Sequence, residues 1–257
     1  MVIKSDKLKI SASAVKTYTQ CPRKYYFTYI NKLPKKKWPH IELGNFVHDV
    51  LESFHNTLRD SPKDPSEWGA LLKIICRKEV SNHNLTKEQM GVAKEMLATY
   101  LSKLREDGLP KVLFNEKEFV IDLPGNILLR GFIDRVDEDA DSVALVDYKS
   151  GRSKYLDEFQ LLVYALAMWH ERPDLKKIKG SYIVLGEGSK IIPYSFTKTD
   201  TVRCVTEITK VAGMIRSEQS WEPRPTRLCS YCDFHDACPA TQAAKDNEWG
   251  ATAEVLA

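Results

Sequence analysis

Gly131-Phe-Ile-Asp-Arg-Val-Asp137 and Ser142-Val-Ala-Leu-Val-Asp-Tyr-Lys149 are neighbouring runs, and each carries an acid where it leaves its apolar section. The second run is apolar until its polar end, which reads as a buried strand with one end at a surface. Asp134 and Asp147 stand thirteen positions apart, at matching places on predicted adjacent strands. Neighbouring strands can bring such carboxylates together, at a cost in repulsion unless a cation sits between them. Hard oxygen ligands with open positions suit Mg²⁺ or Mn²⁺. Such an ion polarises a phosphoryl oxygen and acidifies water. Lys149, two residues past Asp147, projects to the same face, where its ammonium could hold that water or offset charge developing on a phosphate. A single Asp-x-Lys is common at strand ends. The set carries more weight, because a helix with Gln160 and Tyr164 follows, and residues four apart share a helical face.

Outward from these runs, residues 112–123, a Pro124-Gly125-Asn126 turn and residues 127–139 read as an antiparallel strand pair. Downstream come a helix from about Leu156 to Glu171, a strand pair over 181–196 around Gly186 and Gly188, and a helix from Thr199 to Ser217. Upstream, residues 11–27 predict a short helix begun by Ser11 or Ser13 and interrupted at Pro22. From Gly44, the residues Phe46, Val47, Val50, Leu51, Phe54 and Leu58 form one helical face. Asp64 and Pro65 fit the cap and first residue of a helix running through Leu72 and Ile75. Thr86 and Gln89 fit a capping box for another, which Gly108 and Pro110 end. The expectation is one α/β domain over 1–257, with a mixed central sheet flanked by helices. Within it lie a helical insertion at 44–108, a core at 111–217 and a cysteine-rich segment at 221–239.

The 257 residues are 43% hydrophobic, enough for a sizeable core, and the formal net charge is only +3. That balance neither demands nor excludes nucleic acid. No apolar run suits a signal peptide or membrane span, so a soluble, intracellular, cytoplasmic protein is expected. In a reducing compartment, six cysteines are more often metal ligands or buried thiols than disulfides. Cys229, Cys232 and Cys238 cluster in a segment without period, and a metal site is the leading reading. The fourth ligand could be Cys21, Cys76, Cys204 or His235. Zinc would accept Cys₃His or Cys₄, whereas a 4Fe–4S cluster ordinarily takes four thiolates.

Gly131-Phe-Ile-Asp134, Asp147-Tyr-Lys149 and Gln160-x-x-x-Tyr164 resemble, in order and spacing, the motifs of the PD-(D/E)XK superfamily, specifically its RecB-like branch. The resemblance covers nearly the whole chain. It implies a restriction-endonuclease-like core and a Mg- or Mn-dependent deoxyribonuclease, an exonuclease or flap-type enzyme. By that likeness His48, Asp134, Asp147 and the Tyr148 backbone carbonyl hold the metal, Lys149 is catalytic, and Gln160 and Tyr164 orient the site or the DNA. Without it, His48 reads as a helix-surface residue. His40, His55, His83 and His170 read as surface or packing residues, and Glu116 and Glu118 as solvent-facing, with a supporting role near the site open to them.

Iron–sulfur members of the branch, which include AddB-type proteins and a CRISPR-adaptation nuclease, carry one cysteine before the core and three after it. The resemblance thus implies a 4Fe–4S cluster on Cys21, Cys229, Cys232 and Cys238, leaving Cys76 and Cys204 as core thiols. Closing so long a loop would be worth on the order of 5 kcal/mol by analogy with disulfides, which makes the cluster structural.

Lys35, Lys36 and Lys37 beside Trp38 could bind phosphate and stack on a base. Arg152 and Lys154, just past Lys149, are better placed to meet a DNA backbone. The helices of the insertion could cover the cleft and favour a threaded single strand or free end. The implied partners are DNA and a helicase or CRISPR integrase, in repair or recombination. The competing readings are a non-catalytic DNA-binding or recombination-complex component and a zinc-stabilised interaction module.

Overall fold

The computed structural model describes residues 7–36, 38–139 and 142–241. Its centre is a sheet in the order β1-β3-β4-β5-β6, with β2 paired to β3. The strands are β1 (Leu8–Ile10), β2 (Val112–Leu123), β3 (Ile127–Asp139), β4 (Ser142–Lys149), β5 (Lys177–Val184) and β6 (Lys190–Thr197). Strand β2 turns into β3 through Gly125 and Asn126, both at positive φ (78° and 62°), a conformation that glycine and asparagine adopt most readily. The parallel pair β4–β5 is joined through α6 (Phe159–Glu171), the crossover that parallel strands require.

Two helical layers cover the sheet. α1 (Ala12–Gln20), α6 and α7 (Lys198–Ser217) share one core with Leu129, Ile133, Val136 and Leu145. α3 (Pro39–Asp60), α4 (Trp68–Glu79) and α5 (Lys87–Asp107) build a second with Val146, Tyr148, Ile183 and Leu185. The expected insertion is therefore a packed layer of the fold. Its contribution to the cleft is a wall formed by α3, with His40, Ile41 and Gly44 near the start of that helix.

Several boundaries differ from expectation. α3 begins at Pro39, a residue suited to a first helical turn because its missing N–H would be unpaired there; the apolar stripe starts later because that turn is largely exposed. α4 begins at Trp68, since the Asp64 carboxylate accepts the Ser66 N–H (2.9 Å) and closes a separate turn. The helix after β4 begins at Phe159, preceded by a 3₁₀ turn over Ser153–Tyr155. β1, three residues paired parallel to Ile127–Leu129, is too short for its pattern to announce it. The capping box of Thr86 and Gln89 is present, as is the Ser11 cap of α1. Pro22 starts a second helical piece, α2 (Pro22–Tyr25), so Cys21 sits at the kink in an extended conformation, φ −161°.

Candidate metal centre and cysteine cavity

At the end of β4 the side chains of Asp147 and Lys149 point together, with Lys149 Nζ 2.5 Å from Asp147 Oδ2. Lys149 also donates to Gln160 Oε1 (3.1 Å), Gln160 Nε2 donates to Tyr164 Oη (2.7 Å), and Tyr164 donates to Asp147 Oδ1 (3.3 Å). The four side chains close a ring. Gln160 and Tyr164 can both reach it because they are one helical turn apart on α6. Gly131 is required nearby: a Cβ there would lie 2.7 Å from the Phe119 ring, which in turn packs edge-on against Tyr164.

Asp134 accepts the Tyr148 N–H (3.0 Å) and lies 3.4 Å from His48 Nδ1. The Tyr148 backbone also hydrogen-bonds the His48 ring, so His48, Asp134 and the Tyr148 peptide converge on one point. Burial pushes Asp134 up to about 7, against the pull of Lys149. Burial, then the adjacent Asp134 charge, pushes Asp147 to about 7 as well. Burial lowers His48, which keeps its ring neutral and a nitrogen lone pair available to a metal.

Ligand atoms of His48, Asp134 and Glu116 all lie within 4.8 Å of one another. An imidazole nitrogen, carboxylate oxygens and a nearby backbone carbonyl form a donor set that fits a divalent cation such as Mn²⁺ or Mg²⁺. Glu116 is the member that sequence alternation hides. Glu118 is exposed, as expected, but Glu116 is half-buried and faces His48 and Asp134. Its backbone is left-handed (φ 45°), which breaks the alternation that a strand pattern assumes.

Beneath β4, Arg135 is buried and donates to Tyr100 Oη (2.8 Å), the Tyr148 hydroxyl, Asp137 Oδ2 (3.1 Å) and His55 Nε2 (3.1 Å). This network ties α3 and α5 to the residue between Asp147 and Lys149. Nothing in the sequence pattern marks it. Arg152 is exposed in the turn after β4, beside Glu187, and lies outside the ring; Lys154 is exposed too. Lys35 and Lys36 are exposed, and Lys37 falls outside the described residues. Trp38 is already engaged: Lys36 covers its ring at 4.3 Å and its N–H donates to Asp233 (2.7 Å), so it docks the C-terminal segment instead of presenting a free face.

Cys21, Cys229, Cys232 and Cys238 line one cavity, with His235 also on its wall. The Arg224 N–H points at Cys21 Sγ (3.5 Å) and the Thr226 N–H at Cys229 Sγ (3.3 Å), contacts that favour anionic sulfur. Among the described residues no three cysteine sulfurs lie within 4.8 Å of one another. Cys204 is buried in α7 and Cys76 is half-buried on α4, both away from this cavity.

A mixed sheet between helical layers, with Asp134 inside β3 meeting the polar end of β4 that carries Asp147 and Lys149, defines a nuclease-type core, and the chain belongs to the PD-(D/E)XK nuclease superfamily, whose family model matches residues 9–239. It is 29% identical over 210 residues to an ATP-dependent helicase/deoxyribonuclease subunit of Clostridium perfringens, a match covering 63% of this chain and 18% of that protein. The chain thus spans under a fifth of that relative. It is 27% identical over 263 residues to the Gene 69 protein of Mycobacterium phage D29, covering 89% of this chain and 96% of that one. A solved structure from Eubacterium rectale, described as a "putative exonuclease", shares the fold with a TM-score of 0.53 at 13% identity, covering 91% of this chain and 87% of that one. Among the described residues no helix is long and apolar enough to cross a membrane.

Proposed function

We propose that the chain is a divalent-metal-dependent deoxyribonuclease that hydrolyses phosphodiester bonds where Asp134, inside β3, meets the end of β4. The observation that carries this reading is the closed ring of Asp147, Lys149, Gln160 and Tyr164 beside His48 and Asp134. His48, Asp134, Asp147 and the Tyr148 carbonyl would hold the cation, which supplies Lewis acidity toward a phosphoryl oxygen and acidifies water. Lys149, fixed by Gln160, presents its ammonium where charge builds on the phosphate, and its position costs no reorganisation during reaction. Tyr164 holds Asp147 in place by its hydroxyl.

Lys149 lies where two hollows meet. One, of about 520 Å³, is lined by His48, Asp49, Glu52 and Glu116; the other, of about 310 Å³, by Ser13, Lys16, Gln20 and Gln160. A single strand crossing Lys149 would occupy both, and the likeness to a helicase/deoxyribonuclease component and to a structure described as an exonuclease favours action on free ends, of exonuclease or flap type. The four cysteines hold a structural 4Fe–4S cluster in this reading, and the likeness to a helicase/deoxyribonuclease component favours work beside a helicase in recombination or repair. Digestion of end-labelled linear and covalently closed circular single strands with Mn²⁺ tests it. Wild type should cut the linear strand and spare the circle, and Lys149→Ala should cut neither. Unchanged cleavage by Lys149→Ala would move the site elsewhere.

A further inference from the structure

We infer that Glu116 is a further ligand of the catalytic cation, delivered into the cleft by the left-handed backbone of β2. The inference rests on the metal-dependent reading above. On either side of Glu116, Asn115 pairs with Arg135 and Lys117 with Ile133, so Glu116 stands opposite Asp134 across the ribbon. In a regular strand its side chain would repeat the orientation of Glu118, which is exposed. The positive φ of 45° breaks that repeat, and a carboxylate oxygen comes within 4.8 Å of both the His48 and Asp134 ligand atoms. A β-carbon disfavours this backbone region, and in strands such departures commonly serve to re-aim a side chain.

The neighbours also ask for a cation. Asp49, Glu52, Glu116 and His48 line the same hollow, and Lys149, the ammonium on its wall, is already held by Asp147 and Gln160. Asp49 has its own partner in His83 (2.9 Å), and Glu52 has Asn56 (3.5 Å). Glu116 and Asp134 face each other as like charges, an arrangement that a divalent ion resolves. Asp147, held by Lys149 and Tyr164, lies outside the close trio of His48, Glu116 and Asp134. Glu116 therefore grips the ion from β2 while Asp147 faces it from β4.

Mn²⁺ binding to the full chain, followed by loss of the free-ion electron paramagnetic resonance signal, tests the assignment without reference to cleavage. Glu116→Gln should raise the Mn²⁺ Kd at least tenfold, and Glu118→Gln should leave it unchanged. Glu116→Gly separates ligation from structure, because glycine accepts the positive φ but offers no carboxylate. That variant should melt no lower than wild type without metal, yet show a smaller Mn²⁺-induced rise in Tm. Wild-type affinity in both Glu116→Gln and Glu116→Gly would overturn the assignment while leaving the metal reading intact. No Mn²⁺ uptake by wild type would instead overturn the metal reading itself, and this inference with it.

Discussion

The ring at the end of β4 and the cavity of the cysteines are built by opposite routes. Asp134 and Asp147 stand thirteen residues apart in sequence on consecutive strands of a sheet packed on both faces, so their geometry follows from the core. Cys21 and Cys229 are roughly 200 residues apart, one at a helical kink and the other in a 3₁₀ turn. Side-chain contacts hold that second region to the N-terminal helices, among them Phe27 against Phe234, Trp221 stacked on Tyr25, Trp38 bonded to Asp233 and Arg224 bonded to the Thr19 carbonyl (2.7 Å). The first site is positioned by the fold; the second, with the proposed cluster in place, would tie the N-terminal helices to the segment after Trp221. Substitutions should therefore act on chemistry at one and on stability at the other.

The largest effect expected from that contrast is at Cys21. Cys21→Ser removes one of the four proposed cluster ligands, and losing so long a closure would cost on the order of 5 kcal/mol, a large part of a domain's stability. Its thermal midpoint should fall steeply and the segment after Trp221 should become open to protease. Where circular dichroism still shows folded protein, Mn²⁺ affinity should match wild type. A folded Cys21→Ser protein that had lost Mn²⁺ binding would show that the two regions are not separable.

Next in size is the buried Arg135, which links the layers beneath the metal centre. Arg135→Met leaves Asp137 buried without its partner, and breaking such a pair typically costs about 3–5 kcal/mol. Arg135 also holds the hydroxyl of Tyr148, whose peptide meets Asp134 and His48. Chemical denaturation should show the loss, and Mn²⁺ affinity should fall in the protein that remains folded. Unchanged Mn²⁺ affinity would confine the network to stability.

These two sites were also unequally legible in the sequence. Asp134, Asp147, Lys149, Gln160 and Tyr164 follow strand and helix periods, and the structure places them within one hydrogen-bonded neighbourhood. Periods fail where the backbone is irregular or where polar groups are buried. Glu116 hides behind its positive φ, and Arg135 looks like an ordinary exposed strand residue until Tyr100 and Tyr148 close around it. His48 and Cys21 carry no local signal at all: a histidine on a helix and a cysteine before a proline are unremarkable until the fold sets them beside Asp134 and the tail. Trp38 misleads for the same reason, since its partner Asp233 is far away in sequence.

A smaller effect probes the metal centre through pH. Burial raises Asp134 and Asp147 from 3.8 to about 7, with their mutual repulsion adding to Asp147. A carboxyl whose pKa is higher folded than unfolded stabilises fully below the unfolded value, and that contribution is lost as pH rises through the folded value. Without metal, stability should thus fall as pH climbs from about 4 through 7. His48 and His55, lowered by burial, act with opposite sign through their ordinary 6.5 and still offset part of the loss just above it, so the acids dominate from pH 6.5 to 8. There the metal-free protein should lose a net of about 1 kcal/mol, a drop of about two degrees in Tm. Asp147→Asn should flatten the slope, because one of the two charges can no longer form. Mn²⁺ should reverse it, since the cation binds the ionised carboxylates and gains affinity as they deprotonate. A metal-free Tm that stayed level or rose across this window would mean that the two acids ionise as freely as solvent-facing ones, and the pairing that calls for a cation would be absent.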